Sequence, residues 1–209
     1  MTTHERQYLL ALEQIAEVKR HLGAVEHALT TPLPATLLVT SAVQGEGKSL
    51  FAASLSTIAA KSGRYRVALF DLNWYRPSLN KLFDLPLTHS VNKIISSDIH
   101  DLITHTSINA LDIVTAPTDY IHHSVSNDEI IRATTGLVAQ AKKSHELIIL
   151  DTSAIFPTNR LMIDPVILSG IADGVVMVIL SSVTPRQHVK RAQKTLETAG
   201  ARILGIISN

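Results

Sequence analysis

A stretch able to hold phosphate stands at residues 42–49, where the chain reads AVQGEGKS. Gly45 and Gly47 let the backbone turn so that successive amides face one point. The N-terminal end of a following helix adds positive potential at the same place. Lys48 brings a cation to the β- and γ-phosphate oxygens, and the Ser49 hydroxyl suits Mg²⁺. The stretch matches G-x-x-x-x-G-K-[ST] except at its first glycine, where Ala42 stands. TLLVT before it and LFAASLSTIAA after it supply the strand-then-helix setting that the motif requires. Nucleotide contacts are therefore expected from Gln44, Gly45, Glu46, Gly47, Lys48, Ser49 and Leu50, with ATP or ADP and Mg²⁺ as the bound species.

Phosphoryl chemistry also needs carboxylates for metal and water, placed where neighbouring strands end. Asp71 closes the run RVALF, and Asp151 closes LIIL. Each directly follows apolar residues, so both are expected at the sheet edge that carries the loop. An aspartate after a strand also serves as a turn former or helix cap, and that reading stands beside the catalytic one for each residue alone. With the loop present, Lys48, Asp71 and Asp151 are the expected catalytic residues, and Ser49, Asp71 and Asp151 the expected metal ligands.

The elements that must position these groups follow from hydrophobic spacing. Apolar residues over 3–29 recur at helical intervals, and Thr30-Thr31-Pro32-Leu33-Pro34 ends that pattern. This predicts an N-terminal helical segment over 1–31 and one globular unit over 32–209. Within the second, apolar runs at 36–40, 66–70, 111–115, 147–150, 174–180 and 203–208 read as strands. Most are continuous rather than alternating, as in strands buried on both faces of a parallel sheet. Helical patterns at 49–62, 127–143, 164–171 and 185–199 separate them, and two short helices are expected within 77–109. The alternation predicts a doubly wound, mostly parallel α/β sheet.

Composition narrows the function classes. The net charge of +1 argues against a nucleic-acid partner, which calls for a basic face. The absence of cysteine excludes disulfides, thiolate metal sites and a cysteine nucleophile. No apolar run approaches the ~20 residues of a membrane-spanning helix, and MTTHERQYLL has no signal-type apolar core. A cytoplasmic protein is expected, with no membrane insertion of its own and recruitment to the inner membrane only through a partner. His122-His123 reads as a solvated loop, because no third ligand of suitable spacing is near. Lys190, Arg191 and Lys194 read as a solvated helix face, and Trp74 as a packing residue or part of the site wall.

Taken in order, TLLVTSAVQGEGKS, VALFDLNWYRPSLNKLF, LIILDTSAIF, ADGVVMVI and TAGARILGIISN resemble the catalytic domain of the bacterial tyrosine kinases (BY-kinases). That family belongs to the MinD/ParA-type P-loop group with a deviant Walker A motif. The resemblance runs from about Glu13 to Asn209. It implies a P-loop NTPase fold and a role in capsule or exopolysaccharide synthesis and export. The implied partner is the cytoplasmic segment of a membrane polysaccharide co-polymerase, with a homo-oligomer also implied. Asp71 would assist the metal or activate the nucleophile, Asp151 would be the Walker B-type acid, Asp164 would match a family aspartate, and Asn209 would contact the base.

The departures are specific. The family's D-x-D-x-R-R-P has Asn73 for its second aspartate and Tyr75 for its first arginine, with Arg76 kept, and D-T-P-P reads Asp151-Thr152-Ser153-Ala154. An amide can orient a group but cannot act as a base. The E-x-x-R-x-x-R of self-association is incomplete in either register, Glu13/Ala16/Lys19 or Glu17/Arg20/Gly23. Tyr8, Tyr65, Tyr75 and Tyr120 form no cluster like the kinases' tyrosine tail. Nucleotide binding is thus expected more firmly than tyrosine autokinase activity, with an inactive pseudokinase scaffold as the alternative. A MinD/ParA-like positioning ATPase ranks third, because Val43 stands where that group places a second lysine.

Overall fold

The apolar runs become the centre of one seven-stranded sheet. The computed structural model describes residues 16–122, 125–156, 162–181 and 183–208. In chain order the elements are α1 (Ala16–Ala28), β1 (Ala35–Ser41), α2 (Lys48–Lys61), β2 (Val67–Asp71), α3 (Leu79–Leu82), α4 (Val91–Ser96), β3 (Ile103–His105) and β4 (Leu111–Val114). There follow α5 (Asn127–Ala141), β5 (Leu147–Ala154), α6 (Pro165–Leu168), β6 (Gly174–Ile179), α7 (Arg186–Thr198) and β7 (Ile203–Ser208). The strand order is β3-β4-β2-β5-β1-β6-β7. All pairs are parallel except β3 with β4, an antiparallel edge that the apolar runs do not predict.

The continuous hydrophobicity of the central strands has a direct use. Leu37, Val39, Leu69, Ile149, Val176 and Val178 face one layer, where α1 and α2 supply Val18, Leu22, Phe51 and Leu55. Leu38, Phe70, Ile148, Val175 and Met177 face the other, against Ile94 of α4, Ile130 and Leu137 of α5, and Leu196 of α7. Both faces are covered, so neither can carry the polar half of an alternating pattern.

Two further elements differ from the sequence expectation. The pattern over 164–171 gives only the one-turn α6 followed by a 3-10 turn. β5 extends through Ala154, four residues past its apolar run, because its polar end is bonded laterally: Thr152 Oγ1 donates to Val39 O at 2.9 Å, and Thr40 Oγ1 to Ser153 O at 2.8 Å. These bonds span the irregularity in the β1–β5 register between Val39 and Ser41. They fix the carboxyl end of β1, from which the glycine-rich loop departs.

Candidate functional site

The loop leaves β1 buried and returns as α2. Gly45 and Gly47 have φ of 85° and 83°, the left-handed region where a side chain is strained. Ala42 is fully buried with ordinary backbone, so the absent first glycine removes no required conformation. Its carbonyl accepts from Phe156 N at 2.9 Å, and Ser41 O accepts from Ile155 N at 2.9 Å, which holds the start of the loop against the chain after β5. Gly47 is the N-cap of α2, and Lys48 and Ser49 form its first turn.

Beside the loop the sheet delivers two carboxylates. Asp71 and Asp151 are paired residues in the parallel β2–β5 ladder, and both side chains are buried. Asp71 is held by backbone: Asn73 N donates to Oδ1 at 3.2 Å, and Ser78 N and Leu79 N donate to Oδ2 at 3.3 and 3.2 Å. Asp151 differs, since neither of its carboxylate oxygens has a hydrogen-bond partner. Ser49 lies near enough to favour the ionised form without a well-formed hydrogen bond.

Electrostatics follow from this packing. Burial pushes the Asp71 carboxyl up to about 6, against the opposing pull of three backbone amides and Lys48. Burial, and then the Asp71 charge, push Asp151 up to about 7, and Lys48 again opposes the rise. Two adjacent buried carboxylates thus resist joint ionisation. A divalent cation would relieve that resistance, and the unpartnered oxygens of Asp151 next to Asp71 and Ser49 fit such an ion.

The loop, Asn73, Arg76 and Lys81 border one cavity of about 580 Å³ that also reaches Ala154 and Met162. Gln44, Gly45, Gly47, Lys48, Ser49 and Leu50 all line it. Arg76 and Lys81 add cationic groups beyond the motif. Of the expected contacts, Glu46 stands apart: it is buried, and its carboxylate accepts from Val43 N at 2.7 Å and Leu180 N at 3.3 Å. Asn73 is a turn former, with Nδ2 donating to Arg76 O at 2.9 Å. Asp164 caps α6, accepting from Val166 N at 2.8 Å. Trp74 is buried and meets Tyr120 edge-on at 5.4 Å, so it packs. Asn209, Glu13, Tyr8 and His123 lie outside the described residues. Among the described residues no group of three or more acidic or histidine side chains is placed to hold a metal ion, and no helix is long and apolar enough to cross a membrane.

Comparison with known proteins gives relatives in sequence and in fold. The tyrosine-protein kinase YwqD of Bacillus subtilis (strain 168) is 27% identical over 182 residues, spanning 83% of this chain and 71% of that protein. The chimerical protein CapA2B2 has a crystal structure that superimposes with a TM-score of 0.77 at 25% identity, covering 89% of this chain and 80% of that one. In sequence the chain is similar to bacterial tyrosine-protein kinases. No family model matches the chain. It is also 23% identical, over 176 residues, to the succinoglycan biosynthesis transport protein ExoP of Rhizobium meliloti (strain 1021), covering 83% of this chain and 22% of that protein. The fold extends to the septum site-determining protein MinD of Pyrococcus horikoshii OT3, solved with Mg-ADP, at a TM-score of 0.68 and 18% identity over 84% of this chain and 70% of that one. The chain thus has the doubly wound, mostly parallel P-loop NTPase fold of the MinD/ParA type.

Proposed function

We propose that the chain binds Mg-ATP at the cavity beneath residues 42–49, and that nucleotide state controls its assembly within a polysaccharide synthesis or export system. The observation carrying this reading is the buried Asp71–Asp151 pair at the same sheet edge as Lys48 and Ser49. Stranded buried carboxylates are costly unless a cation completes them. Ser49, Asp71 and Asp151 would hold Mg²⁺, which when bound offsets phosphate charge. Gly45, Gly47 and the first turn of α2 present amides to the phosphates, and Lys48 neutralises their β and γ oxygens. In hydrolysis Asp71, fixed by three backbone amides, orients the attacking water.

The likeness to YwqD and ExoP supports a role beside a membrane co-polymerase, whose cytoplasmic segment is the proposed partner. The protein then works at the inner face of the membrane without entering it. A second reading, a nucleotide-dependent scaffold without turnover, is favoured by Asn73. Its side-chain amide is engaged with Arg76 O and brings neither negative charge nor a base to the cavity.

Calorimetry of Mg-ATP binding alongside phosphate release, on wild type, Lys48→Ala and Asp71→Ala, separates the readings. Binding with turnover that both substitutions abolish establishes an ATPase. Binding that needs Lys48, with release no higher than in Asp71→Ala, establishes the scaffold. Absence of binding in the wild type refutes both.

A further inference from the structure

Glu46 places a carboxylate inside a loop shaped for anions. A carboxylate facing bound phosphate would repel it, yet this side chain is 2% exposed and turned away. One oxygen closes a ring within the loop by accepting from Val43 N at 2.7 Å. The other reaches across the sheet to the turn after β6, accepting from Leu180 N at 3.3 Å and from the Thr184 hydroxyl. That turn is itself closed by Val183 N and Thr184 N donating to Leu180 O at 3.2 and 3.1 Å, and it feeds directly into α7.

We propose that Glu46 is a positioning residue: it holds the loop in its phosphate-accepting shape and couples nucleotide occupancy to the β6–α7 turn. The loop's left-handed residues, Gly45 and Gly47, flank Glu46 and leave the backbone otherwise free to relax. Fixing Val43 N to the Glu46 side chain removes that freedom before ligand arrives. Because the same carboxylate holds Leu180 N and Thr184, a shift of the loop on binding phosphate is transmitted to the start of α7. The nucleotide part of this inference rests on the function proposed above.

The test has two arms. Amide exchange in nucleotide-free protein reads the strap without ligand. Glu46→Ala should accelerate exchange at Val43 by about tenfold or more, as expected when a charge-assisted hydrogen bond is lost, and by less at Leu180, whose amide keeps the Thr184 hydroxyl as acceptor at 3.3 Å. Unchanged exchange at both amides overturns the proposal. Calorimetry then reads the coupling: Glu46→Ala should weaken Mg-ATP binding by about tenfold to a hundredfold, and Thr184→Val by about threefold. Adding Thr184→Val to Glu46→Ala should change nothing further, since both remove one connection. Thr184→Ser, which keeps the hydroxyl, should restore wild-type affinity, whereas a general loss of packing would not be rescued this way. Equal affinity of wild type and Glu46→Ala, or additive losses in the double variant, overturns the proposal. Wild type that binds no Mg-ATP while its exchange behaves as stated overturns the nucleotide function, and with it the coupling.

Discussion

Asp151→Asn should make the protein more stable at pH 8, and clearly less so at pH 5. The Asp151 side chain is fully buried, lacks a hydrogen-bond partner and lies beside Asp71. Its carboxyl rises from 3.8 to about 7 on folding, first through burial and then through the Asp71 charge. Above the unfolded value, the unfolded chain has released a proton that the folded chain keeps. Unfolding therefore releases a proton, and rising pH favours it until the folded value is passed. Between pH 5 and pH 7 this removes about 3 kcal/mol, at about 1.4 kcal/mol per pH unit, and nothing more is lost above. Asp71, raised to about 6, pulls in the same direction, and the two titrate as a pair. Asparagine keeps the shape and never ionises, so the variant avoids the Asp151 share. Thermal unfolding of both proteins in Mg²⁺-free buffer from pH 5 to pH 8.5 is the assay. The variant's advantage in melting temperature should be about 6–12 °C larger at pH 8 than at pH 5, from roughly 2–4 °C per kcal/mol in a chain of this size. A variant no more stable than wild type at pH 8, or equally favoured at pH 5 and pH 8, would refute the account of a strained carboxylate pair.

Three further outcomes can be checked independently. A Cβ added at Gly174 would lie 2.4 Å from Leu204 Cδ1 and 2.6 Å from its Cγ, so Gly174→Ala should destabilise by about 1–3 kcal/mol in urea unfolding, and Leu204→Ala in the same chain should recover part of that loss. Burial raises the Asp112 carboxyl, but hydrogen bonds from His145 Nε2 at 2.9 Å and His105 Nδ1 at 2.6 Å outweigh it and hold it below 3.8. Its contribution is therefore present above that pH and fades in stronger acid. At pH 7 Asp112→Ala should lower stability by about 2–3 kcal/mol, because it strands the Nε2 of the buried His145. Trp74 is the single tryptophan, buried next to Asn73 of the cavity wall, so Mg-ATP should shift its emission in wild type and not in Lys48→Ala at the same concentration.

Much of the sheet was legible because its central strands are buried on both faces and so read as unbroken apolar runs. The expected strand at 203–208 coincides with β7, and the one at 36–40 lies inside β1. β3 was not legible: Ile103-Thr104-His105 is three residues long, partly exposed, and owes its pairing to β4 rather than to its own pattern. The end of β5 was hidden for a related reason, since Thr152 and Ser153 are polar and turn their hydroxyls to carbonyls of β1 and of Ile163. At the site, the sequence puts Asp71 and Asp151 each after a strand, but their adjacency depends on strand order, which spacing does not carry. Glu46 was legible only as one residue of the loop. Its bonds to Leu180 and Thr184 join positions more than 130 residues apart, and nothing local signals them.

The strand order also bears on how the protein is made. β1, which launches the loop, lies between β5 and β6, and both are synthesised long after it. While the chain emerges from the ribosome, residues 42–49 therefore have no neighbouring strands until most of the polypeptide is out. Such long-range pairing is slow and leaves apolar strands uncovered in the interval. On the function proposed above, competence to hold nucleotide would be a late checkpoint in maturation, reached only when the final third of the chain has docked. A nascent or truncated copy lacking β6 would be unable to compete for ligand with finished molecules.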